Sequence, residues 1–185
     1  RLTFRKLPAM FQRDLSFVHK YFMAEKQESL LFIIIGAVAF LLSVLFFFFI
    51  KSNPSFFKGA AIPLMLIGLI LGVVGYTVYA RSNKQRLDIA YNIGIEAGIF
   101  INSQELPRMR TVMKNFIIYR YTEIALAVAG IILFFYFRTN TDRQFWAGFG
   151  MTLTIMALTA LFADYFAEKR GSLYTKGLES FTSEK

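Results

Sequence analysis

Leu30–Ile50 is a run of 21 residues without a charge, and no other feature restricts the chain so severely. A helix over this run would be about 32 Å long at 1.5 Å per residue, which matches a bilayer hydrocarbon core of roughly 30 Å. Gly59–Ala80 adds 22 more uncharged residues, and Lys51-Ser-Asn-Pro-Ser between the two runs is a turn signal. Ile124–Phe137 is shorter, at 14 residues. The span it belongs to therefore begins upstream, between Ile117 and Tyr119, and carries Glu123 near its start. A fourth run extends from Phe145 to Phe166 with Asp164 near its end, after the polar turn Arg138–Arg143.

The pattern predicts an all-α integral membrane protein with four transmembrane helices arranged as two hairpins. Its segments are an amphipathic N-terminal stretch over 1–29, a first transmembrane hairpin over 30–80 and a middle segment over 81–118. A second hairpin over 119–166 and a tail over 167–185 complete it. Composition agrees: 56% of residues are hydrophobic and 22 are Phe, against roughly 45–50% apolar residues in soluble domains. The net charge is nevertheless +9. No cleavable signal peptide is expected, because charges run throughout 1–29 and the first apolar run is long enough to stay as a span.

The placement of the positive charges predicts an orientation. Residues 1–29, 81–120 and 167–185 together hold 17 Lys and Arg, whereas the two hairpin turns hold only Lys51, Lys58, Arg138 and Arg143. By the positive-inside rule both termini and the middle segment are cytoplasmic, on a multi-pass protein of the cell's inner (plasma) membrane. Charge placed at membrane flanks in this way speaks for lipid headgroups as partners and against nucleic acid.

A shift of 89 residues superposes parts of the second and fourth runs: Phe56 on Phe145, Gly59 on Gly148, Leu64 on Leu153, Leu69 on Leu158, Tyr76 on Tyr165 and Arg81 on Arg170. A parallel duplication of the hairpin and chance identity in Leu- and Phe-rich sequence both account for this. Within the second run, Gly68, Gly72 and Gly75 form a small-residue pattern that lets helices approach closely. The packing partner is either another span of the chain or a second copy.

The middle segment admits two readings. From Leu87 to Ile101 the odd positions are apolar, among them Ile89, Tyr91, Ile93 and Ile95, while the even positions include Asp88, Asn92, Glu96 and Asn102. That alternation fits a β-strand in a small cytoplasmic layer, and its unpaired edge would bind a partner. The rival is a helical continuation of the second span. Pro107 then opens a helix that runs into the third span. On the N-terminal side, Phe11, Leu15, Val18 and Phe22 share one helical face.

Few residues invite chemistry. Cysteine is absent and His19 is the only histidine, so disulfides, thiolate catalysis, iron–sulfur clusters and ordinary Cys/His metal sites are excluded. Ser16 and Asp14 near His19 lack any sign of an oxyanion hole. Neither an enzyme nor a cofactor is expected. Carboxylates near membrane depth are the functional candidates. Glu28, Glu123 and Asp164, with Arg81 and Arg170, fall at one predicted level, as an ion-pair layer fixing the helix ends or as an ion-binding ring. The expected function is a non-enzymatic anchor, accessory or immunity-type subunit that engages another protein, or further copies of itself, through its cytoplasmic face. The alternative is a small homo-oligomeric channel or transporter, whose pore could draw only on Ser43, Thr77, Thr152, Thr154 and Thr159.

Overall fold

The structure, a computed structural model, describes residues 15–183, so the part of the N-terminal amphipathic face carried by Phe11 lies outside the described residues. Four helices carry the chain: α1 (Ser16–Phe48), α2 (Pro54–Phe100), α3 (Leu106–Phe137) and α4 (Gln144–Ser183). A π-helical turn, Ile101–Glu105, joins α2 to α3, and a 3-10 turn, Thr141–Arg143, precedes α4. Three continuous helical stretches, Ser16–Phe48, Pro54–Phe137 and Thr141–Ser183, are each long and apolar enough to cross a membrane. The middle stretch has 84 residues, several times the length one crossing needs.

That stretch is not straight. Glu96, at φ −143° and ψ 67°, leaves the helical region and breaks α2. Past the break, Ile101, Leu106 and Met109 return to pack in one core with Ile89 and Ile93, so the chain folds back on itself. The two other connections are short. Asn53 takes the left-handed conformation at φ 49°, which a short polar side chain tolerates. Its side chain caps α2 by accepting from the Phe56 N–H, and Pro54 fills the first helical position. Asn140 accepts from the Asp142 N–H at 3.1 Å ahead of α4.

No strand occurs among the described residues, and 87–101 is helical up to and beyond Glu96. The strand reading of Ile89, Tyr91, Ile93 and Ile95 is therefore corrected. Residues two apart on a helix point about 200° apart, so alternating apolar positions divide between two faces. Ile89 and Ile93 are buried in the chain's own core, whereas Tyr91 and Ile95 are exposed.

α1 pairs with α2 and α3 with α4, and the two hairpins meet through α2 and α4, while α1 makes few contacts with α4. Glycines set these contacts. A β-carbon at Gly36 would stand 2.6 Å from the Gly68 carbonyl oxygen, and one at Gly75 2.7 Å from that of Ser29. Gly68 and Gly75 thus face α1. A β-carbon at Gly72 would meet nothing within 4 Å, although the Gly72 backbone lies against Gly36. In the second hairpin Gly130 and Gly150 bring α3 and α4 together in the same way.

The α2–α4 contact is reciprocal. Gly59 lies against the Phe145 backbone and Gly148 against the Phe56 backbone, and these two contacts exchange under the 89-residue shift. Buried positions follow the same shift: Ala61 and Gly150, Pro63 and Thr152, Gly68 and Ala157, Ser82 and Gly171, Ile89 and Leu178. The two helices are thus related locally by a two-fold axis between them, and they start side by side.

The bundle packs in two ways. At the polar end lies a conventional core of Val18, Tyr21, Phe22, Ile89, Ile93, Ile101, Leu106, Met109, Tyr174 and Leu178. Burying each large side chain there stabilises by about 1.5–3 kcal/mol. Over the apolar runs the core shrinks to Ala39, Leu64 and Met156, and large residues such as Leu41, Phe49, Val73 and Phe162 are about two-thirds exposed or more. A soluble monomer does not present so large a continuous apolar surface; a helical bundle in lipid does, because tails are as apolar as the side chains.

Candidate functional site

Most of the polar chemistry among the described residues collects where the apolar runs end. Ser82, two residues past the second run, donates to the Val78 carbonyl at 2.6 Å and to Glu25 Oε2 at 3.3 Å. Glu28, three residues on from Glu25 and so on nearly the same face of α1, forms an ion pair with Arg170 of α4. Nearer the π turn, Arg108 holds Glu105 in a two-point bond, Nε to Oε2 at 2.9 Å and Nη2 to Oε1 at 2.6 Å. Tyr174 of α4 donates its hydroxyl to the same Oε1 at 2.8 Å. The Tyr174 ring stacks on Tyr21 of α1, with centroids 4.2 Å apart. Glu105 is almost fully buried, and these three donors are what make a buried carboxylate tolerable.

Burial shapes the titration of these groups. It pushes the Tyr21 hydroxyl up to about 12, with Glu25 nearby adding to it. Tyr174 is raised by burial and then by Glu105. For Arg108, burial pulls downward, but the bond to Glu105 outweighs it and the guanidinium is held above its ordinary value. Burial raises the Glu25 carboxyl, and Arg81, Arg170 and the Ser82 hydrogen bond offset only part of that rise.

A partly open cavity of about 300 Å³ lies among these groups. All four helices line it: Glu25, Glu28 and Phe32 from α1, Val74 and Arg81 from α2, Arg108 and Tyr119 from α3, Asp164 and Arg170 from α4. The cavity thus spans from apolar side chains of the spans to arginines beyond them. A second cavity of about 210 Å³ adjoins it at Phe116 and Asp164, beside the Arg120–Glu168 ion pair.

Of the five residues that the sequence places at one level, four line the larger cavity: Glu28, Arg81, Asp164 and Arg170. Glu123 is not among its lining residues, but its carboxyl, with Oε2 shut off from solvent, is hydrogen-bonded to that of Asp164. Arg81 forms no ion pair within 4.0 Å among the described residues. Glu25, Glu105, Arg108, Tyr21 and Tyr174 went unread in the sequence. The i,i+3 spacing of Glu105 and Arg108 on either side of Pro107 was the available signal. Ser43, Thr77, Thr152, Thr154 and Thr159 each donate to a carbonyl three or four residues back on their own helix, so they form no stripe of free hydroxyls. Among the described residues no group of His, Asp and Glu is arranged to hold a metal ion.

The architecture is that of an all-helical protein compatible with a membrane. Comparison with protein-family models, with curated proteins and with solved structures found no match.

Proposed function

We propose that the protein is a non-enzymatic, four-span subunit of the cell's inner membrane that holds a partner protein through the outward face of α2. On this reading the 84-residue stretch crosses twice, the chain turning back beyond Glu96, and both termini are cytoplasmic. The distribution of Lys and Arg, 17 against 4, supports that orientation.

The observation that carries the partner reading is a second apolar face on α2. Leu87, Tyr91 and Ile95 are each more than half exposed, and their spacing of four, ahead of the break at Glu96, puts them in one line. Ile89 and Ile93, on the other face, already serve the core. In an upright helix Leu87, Tyr91 and Ile95 lie about 10, 16 and 22 Å beyond Ala80 at 1.5 Å per residue, whereas the headgroup layer is only about 5–7 Å deep on each side. The stripe therefore reaches past lipid into water, where apolar surface of this extent marks a protein interface. Gly94 lies within it, and a β-carbon there would meet nothing within 4 Å, which leaves backbone accessible to an approaching helix.

Charge favours a different protein over a second copy. Exposed Lys84 and Asp88 flank the stripe. Two copies in one membrane pair in parallel about a two-fold axis, which sets Lys84 against Lys84 and Asp88 against Asp88. A partner helix with an acid opposite Lys84 and a base opposite Asp88 avoids that repulsion. The channel alternative draws less support. Within one chain the α2–α4 axis is filled by backbone contact at Gly59 and Gly148, and the span hydroxyls are spent on their own helices.

Native mass spectrometry of gently extracted protein, combined with a photo-crosslinker at Tyr91, tests this. One foreign polypeptide at fixed stoichiometry is expected, cross-linked at Tyr91, lost in Ile95→Glu and kept in Arg110→Glu. Cross-links solely to itself or to lipid would overturn the reading.

A further inference from the structure

We infer that the cavity between the four helices binds a headgroup carrying both a phosphate and a primary ammonium, as in phosphatidylethanolamine. The inference rests on the bilayer placement proposed above and is independent of the partner.

The cavity is lined by charge of both signs, three arginines and three carboxylates. Arg81 has no ion pair within 4.0 Å among the described residues and meets Glu25 only at longer range, while Arg170 engages Glu28 through Nη2. These two arginines exchange under the 89-residue shift, so they approach the cavity from equivalent positions on α2 and α4. Arg108 adds a third guanidinium from α3, with its Nε and Nη2 held by Glu105. Guanidinium N–H groups converging from three helices suit the non-bridging oxygens of a phosphodiester.

Asp164 supplies the opposite sign. The charged groups that act on it are carboxylates, Glu28 and Glu168 together with Glu123, to which it is hydrogen-bonded. A simple anion would leave the hydrogen-bonded pair of Asp164 and Glu123 without a counter-charge, and a simple cation would leave Arg81 so. A dipolar group satisfies both ends. The volume fits: about 300 Å³ is room for about ten waters at roughly 30 Å³ each. Phe32 and Val74, within the apolar runs, line the same cavity, which places its floor where acyl chains begin. Pockets of basic side chains between helices at this level are a recurrent way of holding lipid headgroups.

The test is native mass spectrometry of the full chain, delipidated in detergent and supplied with phosphatidylethanolamine, phosphatidylglycerol or phosphatidylcholine. Phosphatidylethanolamine should be retained about tenfold better than the other two. Arg81→Gln, at an exposed residue without an ion pair, should reduce that retention about tenfold, and Arg110→Gln should not. Asp164→Asn should erase the preference over phosphatidylglycerol while leaving phosphate-dependent retention. Equal retention of all three lipids, or no effect of Arg81→Gln, would overturn the site. Displacement of the lipid by millimolar glycerophosphoethanolamine would overturn the lipid source in favour of a soluble ligand with the same chemistry. Retention of no lipid at all would count against the bilayer placement as well.

Discussion

Replacing Gly59 or Gly148 by alanine probes the reciprocal contact between the hairpins. In an open helical position the exchange should stabilise, because alanine is favoured over glycine in a helix by about 0.5–1 kcal/mol. Gly94, whose added β-carbon would meet nothing within 4 Å, provides that reference. At Gly59 and Gly148 the new carbon would run into backbone of the facing helix, which cannot rotate away as a side chain can. α2 and α4 must then separate by on the order of 1 Å to restore ordinary contact distances. Overpacking of this kind costs about 1–3 kcal/mol. The net expectation is a loss of about 1–2 kcal/mol for each single variant and a gain of up to about 1 kcal/mol for Gly94→Ala. The two-fold relation adds a sharper expectation. Once the helices have moved apart for one carbon, the second occupies space already opened, so the double variant should lose well under the sum. Equilibrium unfolding in mixed detergent micelles, followed by circular dichroism, measures all four. Strict additivity, or single variants no less stable than Gly94→Ala, would refute the reciprocal contact.

Three further outcomes are expected. Tyr174→Phe keeps the stack on Tyr21 but removes a hydrogen bond to a buried carboxylate, and should cost about 1.5–3 kcal/mol in the same unfolding assay; a loss below about 0.5 kcal/mol would contradict the bond. The folded-state proton affinity of Glu25 is raised, chiefly by burial. Its contribution to stability is therefore fully present below about pH 4.5, its unfolded value, and is lost as pH rises through the raised folded value. Glu25→Gln should remove that decline, and a decline of unchanged size in the variant would assign it elsewhere. Spectrophotometric titration of Tyr21→Phe against the parent should show one tyrosine fewer ionising near pH 12.

Depth along the helices was legible in the sequence, and direction around them was not. Uncharged runs located the apolar stretches, and counting from their ends placed Glu28, Arg81, Asp164 and Arg170 at one level, where they do line one cavity. Which carboxylate meets which guanidinium depends on helix rotation and crossing, and these are set by glycine contacts such as Gly36 on Gly68. Hydropathy carries no information about that choice. The alternation over 87–101 misled for a related reason. Apolar residues at every second position describe a one-sided strand and equally a helix apolar on two opposite sides. Gly94 and Gly98 did not decide against the helix, since packing of Ile89 and Ile93 outweighs a propensity cost of about 1 kcal/mol per glycine. The break at Glu96 and the π turn after it follow from the need to bring Ile101, Leu106 and Met109 back onto that core.

The two hairpins share a scaffold and differ in what they present. Under the 89-residue shift six buried positions of α2 have buried counterparts on α4, from Gly59 and Gly148 at the turn end to Ile89 and Leu178 at the polar end. Outward, Leu69 and Leu158 and Tyr76 and Tyr165 also match, but past the apolar runs the outward match ends. Leu87 and Tyr91 of α2 correspond to Lys176 and Ser180 of α4, so the apolar stripe has no counterpart there. Arg81 and Arg170 do correspond, yet among the described residues only Arg170 is ion-paired within 4.0 Å, to Glu28. Packing thus keeps the symmetry where both helices must fit one another. It is broken at the two places assigned a binding role, the face of α2 and the cavity. Restoring symmetry is therefore a test of both assignments: Leu87→Lys with Tyr91→Ser should abolish partner binding while leaving unfolding of the bundle within about 0.5 kcal/mol of the parent and phosphatidylethanolamine retention unchanged. A variant that lost its lipid together with its partner would show that the two surfaces are one.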